Sequence, residues 1–183
     1  MNAPPPLGPE SRRRLLQVHD RIQQFWERVR AHLESHMACG PGCDGCCRQV
    51  LRLRGVEAAY VLEGVQGLEA PALSVVWRAV EAGGDDTCPL LHGGECLVHA
   101  HRPAICRTHG LLLVRRHGEG AVLHHCPRNF AGIDPVDLPP ALFLDEGRLA
   151  MLLDLVDALY ARETGWTGHR VRLDEALKAG LCT

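Results

Sequence analysis

Apolar positions recur at helical spacing on both sides of a cysteine-rich middle. Leu15, Val18, Ile22, Phe25, Val29 and Leu33 form one stripe, widened by Leu16 and Trp26, with Arg and Glu on the other face. This pattern predicts a long amphipathic helix over 11–36, with Ser11 placed to cap it. Val56, Ala59, Tyr60 and Leu62 predict a helix over 55–66, and Leu73, Val76, Trp77 and Val80 predict another, opened by Pro71 and running to about Ala82. A strong helix is expected from Asp145 to Arg162, with Leu149, Leu152, Leu153, Val156, Leu159 and Tyr160 on one side. Asp174 is expected to cap a short last helix around Glu175–Lys178.

Between these helices the period changes. Residues 38–47, ACGPGCDGCC, hold three glycines and a proline and must form a loop with tight turns. Residues 49–53 read as a short strand or the approach to the next helix. Cys88-Pro89-Leu90-Leu91 and Glu95-Cys96-Leu97-Val98 flank His92-Gly93-Gly94, the pattern of a small hairpin. Pro103 is placed to open a helical turn carrying Cys106 and Arg107. Leu111–Arg115 and Ala121–His124 flank a Gly-Glu-Gly turn and predict a second hairpin, closed by Cys126-Pro127. Residues 131–141 read as a loop. The expected fold is mainly α with small β-hairpins around a cysteine-rich metal-binding centre. A disordered tail over 1–10 would precede one domain over 11–183, with a motif core at 39–126 and a C-terminal helical part at 135–180.

Composition narrows the function. The 183 residues suit one domain with a core that needs no staples. Acids outnumber bases by 22 to 20, for a net charge of −2, which argues against a strongly basic nucleic-acid binder. No apolar run is long enough for a transmembrane helix. The Pro-rich start, followed by Arg12-Arg13-Arg14, lacks the apolar core of a signal peptide. A cytoplasmic, reducing setting is therefore expected, where structural disulfides are rare.

In that setting the 9 cysteines carry the information. Eight lie between Cys39 and Cys126, spaced Cys39-x3-Cys43-x2-Cys46-Cys47, then Cys88, Cys96, Cys106 and Cys126. Cys182 stands apart and reads as an incidental thiol. Spacings of two to four residues let thiolates converge on one ion through a tight turn. Zinc would take four thiolates, or thiolates with imidazole, in a closed tetrahedron. An iron–sulfur cluster would take four cysteines, so ligand type does not separate the two. Eight thiols suffice for two four-ligand sites, or for one site with spares. Adjacent Cys46 and Cys47 chelate a single ion awkwardly, because the ring they close is strained. They are expected to serve different metals, to bridge two, or to leave one unligated. The plainer alternatives are a purely structural zinc, a disulfide-bonded domain, or buried free thiols acting as small apolar groups.

The order of these elements resembles the YkgJ-type cysteine-cluster family, described as a zinc- or iron-chelating domain. The resemblance rests on Cys39-x3-Cys43-x2-Cys46-Cys47, Cys88-Pro89, Gly94-Glu95-Cys96 and Arg102-Pro103-Ala104-Ile105-Cys106-Arg107, followed by Cys126, about half the chain. It departs at His99, where the family places an aromatic residue, and at Thr108-His109-Gly110, where an aromatic is also usual. These changes alter the outer packing or add an imidazole, and leave the eight cysteines in place. The resemblance implies a metal-binding protein holding zinc or iron, an iron–sulfur cluster included. A related cluster in bacterial flagellin lysine methylases makes iron–sulfur-dependent protein modification an analogy at the level of fold.

Seven of the 11 histidines lie between His92 and His125, and His92, His99, His101, His109, His124 and His125 are reserve ligands. Arg102 and Arg107 are placed either to donate hydrogen bonds to ligating sulfurs or to pair with nearby acids. Asp44 and Glu95 lie inside the motifs and read as solvated. No P-loop, dinucleotide fingerprint, H-E-x-x-H or nucleophile elbow occurs. The expected partner is a metal ion or cluster, with no membrane and no nucleic acid evident.

Overall fold

The computed structural model describes residues 2–40, 42–49, 51–84, 86–118 and 120–182. Among these residues helices dominate, and three small sheets fill the joints between them.

α1 (Pro9–Leu33) buries Leu15, Val18, Ile22, Phe25, Val29 and Leu33, the stripe its periodicity predicts. It starts two residues before Ser11, with Pro9 in the first turn, where a missing N–H costs nothing. Ser11 is therefore not the cap. Glu163 takes that role from across the fold, accepting from Glu10 N at 3.1 Å and from Ser11 N at 2.9 Å. A 3-10 turn, Glu34–His36, follows the helix.

The segment before α1, 2–8, packs against the helices. Pro4 is buried, Leu7 packs on the core, and the Tyr160 hydroxyl donates to the Pro5 carbonyl at 2.6 Å. A buried tyrosine hydroxyl needs a partner, and the tail supplies it.

α2 (Gly55–Gln66) begins and ends where the pattern places it and is buried nearly all round. It lies between two apolar cores. One face, Val56, Ala59 and Tyr60, joins α1, Phe130 and Leu142, together with Leu153, Val156 and Tyr160 of α5 (Glu146–Thr164). The other, Ala58, Val61, Leu62 and Val65, joins Val76 and Val80 of α3 (Ala70–Ala82) and Leu173, Ala176 and Leu177 of α6 (Leu173–Leu181). A helix apolar on every side is a central one.

β1 (Arg52–Leu53) pairs antiparallel with β7 (Val171–Arg172), which brings α6 against α2. β2 (Leu91–His92) and β3 (Glu95–Cys96) form the predicted hairpin, with Leu91 opposite Cys96. Gly93 and Gly94 turn it at φ of 59° and 82°, a region that glycine enters freely. α4 (Ala104–Thr108) is the predicted helical turn. β4 (Leu112–His117) and β5 (Gly120–His124) form the second hairpin. β6 (Phe143–Asp145) adds a parallel strand on the other side of β4, which local periodicity does not announce.

Asp145, expected as the first helical residue, instead caps α5, accepting from Arg148 N at 2.9 Å. α5 is apolar on more than one face: Leu153, Val156 and Tyr160 are buried, whereas Leu152 is exposed. Asp174 does not cap α6. It sits inside the first turn, paired with Arg172 at 2.9 Å. Among the described residues no helix is long and apolar enough to cross a membrane.

Candidate metal centre

All eight cysteines of the motif core line one cavity of about 920 Å³. Five separate stretches of chain deliver them. Cys39 and Cys43 lie on the loop after α1, and Cys46 and Cys47 on a 3-10 turn, Gly45–Cys47. Cys88 precedes the first hairpin, Cys96 ends β3, Cys106 sits in α4, and Cys126 follows β5. All nine cysteines of the chain are free thiols, and Cys182 is exposed and away from the cavity. Among the described residues, no three His, Cys, Asp or Glu side chains are already gathered closely enough to hold an ion.

Each stretch is fixed by specific bonds. The Cys88 amide donates to the Cys47 carbonyl at 2.7 Å, joining the cysteine loop to the hairpin. Glu57, buried in α2, accepts from Ala104 N at 2.8 Å and so holds the N-terminus of α4, which carries Cys106. Burial pushes the Glu57 carboxyl up, while the Ala104 amide and the Arg54 guanidinium pull it back toward the ionised form.

Asn129, also buried, joins three elements. Its Oδ1 accepts from Ala38 N at 2.8 Å, and its Nδ2 donates to the Gly110 carbonyl at 2.7 Å and to Cys39 Sγ at 3.3 Å. Gly110 passes close beneath at φ 95°, and a Cβ there would stand 2.6 Å from Cys39 Sγ. Arg128 Nη1 reaches Cys43 Sγ at 3.7 Å. The short turn after Cys126 thus carries two donors to sulfur.

Burial raises the pKa of Cys39 and Cys96, and lifts Cys88 to about 11 and Cys106 to about 12. Cys46 and Cys47 act as donor and acceptor to each other, which pushes Cys46 up and Cys47 down. Crowded thiols in a half-buried cavity resist ionising together, and a soft cation reverses that balance. The donor set fits a zinc ion or an iron–sulfur cluster.

Arg102 and Arg107 make no ion pair among the described residues. Arg102 Nε donates to the His99 carbonyl at 3.0 Å, and Arg107 donates to the Arg102 and Ala100 carbonyls. The Arg102 charge favours the thiolates of Cys46, Cys96 and Cys106. Asp44 pairs with exposed Arg48 at 2.7 Å, and Glu95 lines the cavity rim.

Of the six reserve histidines, His99 and His109 line the cavity and the other four do not. His101 packs against Tyr60, with ring centroids 4.7 Å apart, and His125 meets Phe130 edge-on. A further histidine, outside those six, also lines the cavity. His19 of α1 is 4% exposed, and neither ring nitrogen has a hydrogen-bond partner among the described residues. Desolvation, with the nearby Arg107 charge, lowers its pKa to about 3. Its position, four residues after Leu15 and three before Ile22, lies on the apolar stripe, which was the available signal. Ile22, Gln23, Trp26, Glu27 and Arg30 continue this wall of the cavity. α5 contributes no residue to it. It lies behind α1 and α2, held there because Leu153, Val156 and Tyr160 belong to the first core.

Comparison of the chain with family models, with curated proteins and with solved structures finds no match.

Proposed function

We propose that this protein binds zinc or iron, an iron–sulfur cluster included, through the thiolates of Cys39, Cys43, Cys46, Cys47, Cys88, Cys96, Cys106 and Cys126. The observation that carries the reading is the convergence of eight free thiols, from five stretches of chain, on one cavity. Core packing alone does not call for such a gathering, because buried thiols serve as small apolar groups singly, wherever the core needs them. The resemblance of the motif order to the YkgJ-type cysteine-cluster family supports the same reading. Bound metal would hold the sulfurs as thiolates and cross-link the loop after α1 to the hairpin, α4 and the turn at Cys126.

A second reading is favoured by the cavity wall on α1. The space extends past the cysteines to His19, Gln23, Trp26 and Arg30, more than a closed structural site requires. A cluster that also meets a substrate, as in iron–sulfur-dependent protein modification, would use that space.

Anaerobic purification with metal analysis and visible spectroscopy separates these readings. A brown protein bleached by dithionite supports an iron–sulfur cluster. A colourless protein with stoichiometric zinc supports thiolate-bound zinc. If chelation then unfolds the chain, the zinc serves the fold.

A further inference from the structure

The eight thiols divide into two neighbourhoods. Cys47, Cys88, Cys96 and Cys106 all pack in the second apolar core, whereas Cys39, Cys43, Cys46 and Cys126 belong to neither core. The Cys88 amide bond to the Cys47 carbonyl ties the first neighbourhood together across 41 residues of chain, from 47 to 88. Cys47 feels the charges of Cys88, Cys96 and Cys106. In the other neighbourhood Cys39 feels Cys43, Cys126 and Cys46, and the turn at 126–129 supplies the Asn129 and Arg128 donors to Cys39 and Cys43.

Cys46 stands at the boundary. It lies within electrostatic reach of Cys39 on one side and of Cys88, Cys96 and Cys106 on the other. A tetrahedral thiolate site takes four sulfurs. The core neighbourhood has four without Cys46, and the loop neighbourhood has three and needs it. A guanidinium serves each: Arg102 acts on Cys96 and Cys106, and on Cys46 at the boundary, while Arg128 Nη1 lies 3.7 Å from Cys43 Sγ. Four thiolates on a divalent ion leave a doubly negative site, so a cation beside each one is what the charge requires.

From this arrangement we infer two separate sites for soft divalent ions of the zinc type: a loop site of Cys39, Cys43, Cys46 and Cys126, and a core site of Cys47, Cys88, Cys96 and Cys106. They abut at the Cys46–Cys47 peptide. The inference rests on the metal-binding reading above and adds the number of ions and the members of each set. Dividing the adjacent pair between two ions avoids the strained ring that both would close on one. Single ions suit this junction, because two bulky iron–sulfur cores would have to sit side by side behind neighbouring sulfurs.

The test is zinc reconstitution of the reduced full-length chain, followed by native mass spectrometry and thiol alkylation. The expected result is two zinc ions per chain. Molecules holding one zinc should protect four thiols that all belong to one set. Cys106→Ser and Cys126→Ser should each lower the stoichiometry from two to one, and the double variant should hold none. A limit of one zinc, protected thiols drawn from both sets, or a single variant that loses both ions would overturn the division while leaving metal binding intact. No zinc bound at all would overturn the two zinc-type sites, and a chain that then takes up no iron either would overturn the underlying reading as well. Alkylation mapping uses the natural sequence, so the test stands even where a serine variant fails to fold.

Discussion

The Asn129 side-chain amide donates to Cys39 Sγ at 3.3 Å while its oxygen accepts from the amide of Ala38, the residue just before that cysteine. One buried side chain thus fixes both the backbone and the sulfur at the start of the cysteine loop. Replacing it by alanine strands the Ala38 N–H and the Gly110 carbonyl. A loss of about 2–3 kcal/mol is expected in urea unfolding. Asn129→Asp keeps the shape but removes the donor and sets a carboxylate against the sulfur. Zinc affinity should then fall about 10–100-fold, read by competition with a chromogenic chelator.

Gly110→Ala tests the close approach beneath the same sulfur. The backbone there has φ 95°, and the new methyl would meet Cys39 Sγ at 2.6 Å and Asn129 Nδ2 at 2.9 Å. Strain and clash act together, and about 2–4 kcal/mol of stability should be lost. Gly118→Ala supplies the control. Its φ of 55° is also positive, but open space surrounds it, so its cost should be clearly smaller.

The Glu57 carboxylate holds α4 through the Ala104 amide at 2.8 Å and faces the buried Arg54 guanidinium at 3.5 Å. Glu57→Ala removes both contacts, although Arg54 keeps Asp154 at 2.7 Å. The expected cost is about 2–4 kcal/mol. Glu57→Gln, which retains an acceptor for Ala104, should recover part of it. Thermal unfolding of the three proteins, compared at one pH, checks the order.

His19 predicts a pH dependence. It is buried between the Tyr60 ring, 5.3 Å away, and the Arg107 charge, and its pKa falls from the ordinary 6.5 to about 3. The unfolded chain therefore binds a proton that the folded chain refuses. Stability from this residue is full above the unfolded value and is lost as pH drops below about 6.5. Between pH 7 and pH 5 the loss should be about 2 kcal/mol. Acid also releases thiolate-bound metal, so the informative quantity is the difference between the natural chain and His19→Phe. That variant should lack this part of the slope. Equal slopes would show that the imidazole is not held neutral.

Much of the architecture is local and could be read in advance. α2 falls on its predicted residues because every turn of it is apolar. The Gly93-Gly94 hairpin and the α4 turn follow from glycine and proline chemistry acting on neighbouring residues. The eight cavity cysteines stood out through spacing alone. What escaped notice depends on distant partners. Ser11 looks like a cap, but Glu163 from α5 satisfies those amides. β6 joins β4 through a parallel pairing that no hairpin signal marks. Asn129 and Glu57 are single polar residues whose importance comes from burial, which a linear pattern does not reveal. His19 was hidden differently, since a histidine on an apolar stripe interrupts the pattern that defines it.

The most direct test of the account is the metal content of the chain purified without oxygen and with its thiols reduced. Elemental analysis should find zinc or iron in stoichiometric amount, and conversion of the eight cavity cysteines to serine should abolish it while Cys182→Ser leaves it unchanged. A natural chain that folds, keeps all eight cavity thiols free to alkylation, and takes up neither zinc nor iron would contradict the account.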